Sequence, residues 1–225
     1  MNYRHSENKN LSIFSQPAFL GMPIYGNAPL ASNYLESIHN TINKALDDHP
    51  RTFAFRVDLH LPLIATDVDY PGNFDNGVIC RFIDSFKAKL KAAEMRKLRY
   101  GKRIYPCTVR YFWAKERNEA AQDHYHMFIF LNNDTYNTLG SYVQFGENNA
   151  TRIVEAWASA IGVDEFTSLN LVHFPKQRPL YYLNRNSPDF NEQLSNVFQR
   201  ASYFAKVTTK HYGQAGGNAF GCSRR

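Results

Sequence analysis

His124-Tyr125-His126-Met127-Phe128-Ile129-Phe130-Leu131, closed by Asn132-Asn133-Asp134, is the stretch on which the rest of the chain turns. An apolar run this short, bounded by turn-forming residues, predicts a central β-strand covered on both faces. Side chains alternate along a strand, so His124 and His126 point to the same side. Two imidazoles at the start of one strand are a pair that a metal ion can share.

Upstream, Tyr105 to Ala114 is rich in Tyr, Val, Phe and Trp and predicts a second strand. A short polar connection beginning Lys115-Glu116-Arg117-Asn118 joins the two, which reads as an antiparallel hairpin. The end of the first strand then stands opposite the start of the second and brings Glu116 beside His124 and His126. Glu116 and Glu119 are the available carboxylates, whereas Asp123 adjoins His124 and points to the other face.

Thr52 to Leu61 alternates as a strand, with Phe53, Phe55, Val57, Leu59 and Leu61 on one face and Arg56, Asp58 and His60 on the other. A polar face of this kind is either solvated or the floor of a site. Asp67, Asp69 and Asp75 follow in a loop whose spacing lacks the closing glutamate of a calcium loop. Helices are predicted from Ser32 to Pro50, over Ile79 to Leu98, over Asn149 to Ile161 and from Phe190 to about Lys210. Leu169 to Phe174 predicts a further strand, and the Gly-rich tail from Gly213 a loose end. Residues 1–30, broken by Pro17, Gly21, Pro23, Gly26 and Pro29, read as an N-terminal arm; residues 31–225 form a single domain. The predicted class is α+β, a central antiparallel sheet with helices packed on it.

The chain has 225 residues, 15% of them aromatic, and a formal net charge of +6, which favours an anionic partner such as nucleic acid. Between Lys87 and Arg103 stand eight basic residues against the single acid Glu94. This exceeds what solubility requires and points Lys87, Lys91, Arg96, Lys97, Arg99, Lys102 and Arg103 at phosphates. From Lys176 onward eight basic residues face two acids, a balance equal to the whole net charge. Tyr181, Tyr182 and Phe190 are candidates there for base stacking. Cys80, Cys107 and Cys222 fit neither a disulfide framework nor a zinc ribbon. No signal peptide and no membrane-length apolar run is visible, so a cytoplasmic protein without a membrane partner is expected.

Arg200-Ala201-Ser202-Tyr203-Phe204-Ala205-Lys206 adds a second motif. On a continuing helix Tyr203 and Lys206 share a face, and Lys210 extends it a turn later. With His124-Tyr125-His126 upstream, the chain resembles the HUH superfamily of rolling-circle replication initiators and relaxases. More closely it resembles the replication proteins of filamentous phages and the YagK/YfjJ-type prophage proteins. Asp58-Leu59-His60-Leu61-Pro62, Trp113 with Glu116, and the terminal Phe220-Gly221-Cys222-Ser223-Arg224 extend that resemblance over about residues 50 to 225.

The resemblance implies an HUH/Rep-like fold with an RRM-like palm and sequence-specific nicking and rejoining of single-stranded DNA through a 5′-phosphotyrosine. Tyr203 would be the nucleophile and Lys206 its catalytic partner, with His124, His126 and Glu116 holding Mg²⁺ or Mn²⁺. The ligand types alone also admit zinc or nickel. Arg56, Asp58, His60, Arg200 and Lys210 are expected to contact DNA, single-stranded or an origin hairpin. No P-loop occurs, so a host helicase and polymerase are implied partners. Tyr212, Tyr181 or Tyr182 stand open as a second tyrosine. The alternative reading is a catalytically silent origin- or promoter-binding regulator with the same fold.

Overall fold

All nine residues of the strand His124–Asn132 are buried, because it has a partner strand on each side and is covered above and below. The structure is a computed structural model. It describes every residue except 1–2, 7, 27, 63–73, 118–122, 143–144, 178–179, 209, 211–217 and 225. Glu119, Tyr212, Asp67 and Asp69 lie outside the described residues. In chain order the elements are β1 (Tyr3–Arg4), β2 (Ser12–Phe14), β3 (Ala18–Phe19), β4 (Met22–Pro23), β5 (Leu30–Ala31), α1 (Ser32–Asp48) and β6 (Arg51–His60). There follow α2 (Val78–Arg99), β7 (Arg110–Glu116), β8 (His124–Asn132), α3 (Asn149–Ile161), α4 (Glu165–Leu169), β9 (Val172–His173) and β10 (Leu180–Asn184). The chain closes with α5 (Phe190–Ser202), a 3-10 turn (Tyr203–Ala205) and β11 (Phe220–Cys222).

The fold is α+β, as the patterning predicts. The main sheet is antiparallel in the order β10-β6-β8-β7-β11, with β9 pairing the far end of β6. Period-two alternation sorts its two faces. Phe53, Phe55, Val57 and Leu59 join Met127, Ile129 and Leu131 on one face, covered by Phe82 and Phe86 of α2 and Trp157 of α3. Ala54, Phe112, Phe128 and Phe130 line the other, covered by Leu35 and Ile42 of α1 and by Phe198 and Phe204. Trp157 donates its ring N–H to the His60 carbonyl at 2.9 Å, which anchors the last residue of β6.

Several boundaries differ from the sequence reading. The first hairpin strand begins at Arg110, not Tyr105. Glu165–Leu169 is a short helix, and only Val172–His173 remains of the predicted strand after it. β10 is a strand that the patterning did not mark, and β11 is a strand within the tail expected to be loose. The residues before Ser32 fold back onto the α1/α5 layer: Phe19 stacks on Phe198 at 5.6 Å, and Leu11, Ile13 and Ala31 are buried with Val207. Among the described residues no helix is long and apolar enough to cross a membrane.

β11 accounts for two of the features behind the resemblance. Gly221 pairs with Trp113, and a Cβ on Gly221 would stand 2.7 Å from three atoms of the indole. Gly221→Ala should therefore displace the ring or the edge strand and cost about 1–3 kcal/mol. Urea unfolding monitored by Trp fluorescence measures this.

Candidate metal centre

Strand register builds the site. His124 lies across from Glu116 on β7 and from His60 on β6, and His126 lies across from Ala114 and Asp58. Opposite residues of neighbouring strands share a face, so the carboxylate and both imidazoles converge on the α1/α5 side of the sheet. Ala114, the smallest member of its row, leaves room for Glu116 to reach His126: Glu116 Oε2 is 3.4 Å from His126 Nε2. Glu116, His124 and His126 are all buried, and each offers one ligand atom within 4.8 Å of the others.

A second layer orients this group. His126 Nδ1 is 2.8 Å from Asp58 Oδ1, and Arg56 clamps the same carboxylate with two bonds of 2.8 and 3.0 Å. Asp58 Oδ1 and Arg56 Nη2 both lie within hydrogen-bond reach of His126 Nδ1, at 2.8 and 2.9 Å, and Nε2 is left toward Glu116. A carboxylate behind a histidine is the support that metal-ligating imidazoles ordinarily have. Two imidazoles and one carboxylate at this spacing fit a divalent cation. Arg56 and Asp58 were assigned to DNA from sequence. In the structure Arg56 is buried, and both side chains bond to each other and to His126. His60 stacks on His124 at 5.3 Å and meets His173 at 4.8 Å.

The charge states follow from this packing. Burial alone would raise the Asp58 carboxyl, but its bonds to His126 and Arg56 win and hold it well below the usual range. Burial likewise opposes charge on His126, yet Asp58 and Glu116 raise its pKa overall. Burial and the other histidines lower His124, and lower His60 to about 4. An ion must displace the proton that His126 holds more tightly than usual. Metal affinity should accordingly rise with pH through neutrality, with about one proton released per ion bound. Calorimetric titration in buffers of different ionisation enthalpy counts that proton.

Tyr203 reaches the same group: its hydroxyl donates to Glu116 Oε2 at 3.2 Å, and its ring lies 5.7 Å from that of His126. Burial, then the Glu116 charge, push the phenol up to about 12 despite the Arg56 guanidinium 5.1 Å from the ring centre. The helix ends at Ser202, so Tyr203 and Lys206 do not share an α-helical face. Lys206 is extended and bridges to Leu30, with its ammonium 5.8 Å from the Tyr203 ring centre. The lysine on the metal group is Lys210, whose Nζ is 3.6 Å from Glu116 Oε1 with both side chains fully buried. Burial lowers Lys210 to about 8, against the pull of Glu116. The sequence reading put Lys210 on the Tyr203 face but not against Glu116.

The basic track of α2 sits elsewhere. α2 covers the opposite face of the sheet, and its last turns meet Thr135 and Tyr136, beyond the far end of β8. Eight residue steps along β8 separate that end from His124, about 27 Å. Lys87, Lys91, Arg96, Arg99, Lys102 and Arg103 are exposed there and Lys97 half-buried. Arg96 pairs with exposed Glu147 at 3.4 Å, which leaves it available at little cost, and Lys91 lies 3.7 Å from the buried Glu94. Tyr182 packs on Phe53 of this remote face, whereas Tyr181 packs on Phe128 beside the site.

Residues 17–223 match the family model of the YagK/YfjJ C-terminal domain. The "Uncharacterized protein YagK" of Escherichia coli (strain K12) is 38% identical over 195 residues, 85% of this chain and 92% of that protein. The "Uncharacterized protein YfjJ" of the same strain is 34% identical over 200 residues, 86% of this chain and 94% of that protein. No solved structure matches the chain.

Proposed function

This chain belongs to the YagK/YfjJ C-terminal domain family, and from its buried site we propose that it is a metal-dependent single-strand DNA nickase that initiates rolling-circle-type replication of a phage, prophage or satellite element. One observation carries the reading: the Tyr203 hydroxyl donates to the carboxylate that completes the Glu116–His124–His126 group. An aromatic hydroxyl bonded to a candidate metal ligand is placed for nucleophilic work at that ligand set.

In the proposed reaction Tyr203 Oη attacks a backbone phosphorus. A bond forms from phosphorus to the tyrosine oxygen, and the bond to the 3′-oxygen breaks. The products are a 5′-phosphotyrosyl link and a 3′-hydroxyl. Since its pKa is pushed up to about 12, Tyr203 is protonated at neutral pH, and its proton must leave as it attacks. Glu116 already accepts that hydrogen bond and is the proton's first acceptor; the proton ends on the departing 3′-oxygen. A divalent ion, when bound by Glu116, His124 and His126, supplies positive charge to the phosphate oxygens. Magnesium or manganese is the proposed ion. Asp58 and Arg56 hold the His126 ring in position throughout.

The covalent link keeps the phosphodiester energy, so Tyr203 chemistry reverses to rejoin the strand without a nucleotide. Duplex unwinding and synthesis from the 3′-hydroxyl fall to a separate helicase and polymerase. Incubation with single-stranded oligonucleotides spanning the element's own origin and Mn²⁺ tests the proposal. A protein–DNA adduct that survives a denaturing gel is expected. DNA retention without an adduct, across metals and origin sequences, would leave only a DNA-binding regulator.

A further inference from the structure

A groove of about 650 Å³ opens beside Tyr203, lined by Tyr25, Gln177, Tyr181, Asn196, Gln199 and Arg200. We propose that it is a nucleobase-recognition pocket that reads a guanine near the scissile phosphate through the Arg200 guanidinium. The proposal rests on the nickase reading only for the strand that enters it; the recognition chemistry is independent.

Two rings frame the groove, each fixed by contacts of its own. Tyr25 meets the Tyr203 ring edge-on at 5.0 Å, and its backbone N–H is held by Ser202 Oγ at 2.7 Å. Tyr181 packs on Phe128 at 5.5 Å, on the same sheet face as the metal group. Fixed aromatic rings beside a nucleophile are the surfaces on which unstacked bases settle. Between them stand three carboxamides, which pair with base edges, and no carboxylate is among the described lining residues.

Arg200 supplies the selective group. It lies one helical turn before Tyr203, and its Nε–H is buried without an acceptor among the described residues. The side chain is half-buried and lines the groove, and a base edge that presents two acceptors matches its guanidinium. Guanine does so with O6 and N7, the pair to which an arginine fork is matched. The motif containing Arg200 was read from sequence as a general DNA contact. The groove makes it specific, and it adds Tyr25 from the N-terminal segment, which no motif marked.

The test is a binding measurement on Tyr203→Phe protein without metal, so cleavage plays no part. The probes are fluorescein-labelled dT12 oligonucleotides with one guanine, adenine or cytosine walked through every position. Guanine at one position should bind roughly 10-fold tighter than thymine there. Adding Arg200→Ala should abolish that preference, and Arg200→Gln should move it toward adenine, because a carboxamide matches N6 and N7. The inference is overturned if no position prefers guanine, or if the guanine-to-thymine ratio survives Arg200→Ala. Guanine preference without any covalent adduct from the intact protein would sink the nickase reading and leave the pocket standing.

Discussion

On the proposed reading, Tyr203→Phe removes the nucleophile and should lower single-turnover adduct formation at least roughly a thousand-fold. The ring would stay against Tyr25 and His126, since those contacts do not involve the hydroxyl. The folded state loses one hydrogen bond to a charged acceptor, about 1.5–3 kcal/mol. Metal binding should persist, because Tyr203 is outside the Glu116–His124–His126 set. Adduct yield, melting temperature and metal titration on one preparation separate these effects. An adduct of undiminished yield would place the nucleophile on another tyrosine.

Glu116→Ala should have two large effects at once. It removes the carboxylate of the metal group and leaves Lys210 fully buried without its counter-charge. Breaking one side of a buried ion pair costs about 3–5 kcal/mol, whereas removing both sides with similar shape is often near neutral. The double variant Glu116→Gln/Lys210→Met should therefore recover most of the stability lost in Glu116→Ala while binding no metal. Guanidinium unfolding checks the first effect and calorimetry the second. A Glu116→Ala protein as stable as wild type would mean that the Lys210 pair does not hold the site together.

The parts of the site legible in sequence depend on short-range geometry. Period-two alternation put His124 and His126 on one face, and the hairpin brought Glu116 across from His124. The same alternation separated Arg56, Asp58 and His60 from the apolar face of β6. What it did not reveal is that Asp58 and Arg56 turn inward to His126, because their partner lies on a neighbouring strand. The backbone at Lys206 and Lys210 departs from a continuing helix for a long-range reason. Apolar spacing runs on past Ser202, but the N-terminal segment captures the backbone there: Lys206 bridges to Leu30, and Val207 N–H donates to the Pro29 carbonyl. That capture ends the helix and sends Lys210 into the core. β11 is three residues long and exists by pairing with β7, too short for any periodicity to mark. The basic run of α2 was legible as charge, but its position across the sheet from the metal group depends on the packing of α2 with α3.

The central claim is that Tyr203, held on Glu116, becomes covalently joined to DNA. Its most direct measurement is proteolysis of the intact protein after reaction with origin single strand and Mn²⁺, followed by mass spectrometry of the nucleotide-bearing peptide. The account predicts a 5′-phosphonucleotide on Tyr203 and on no other residue. A modification mapped to Tyr25, Tyr181 or Tyr212, or nicked DNA with no modified peptide at all, would contradict it.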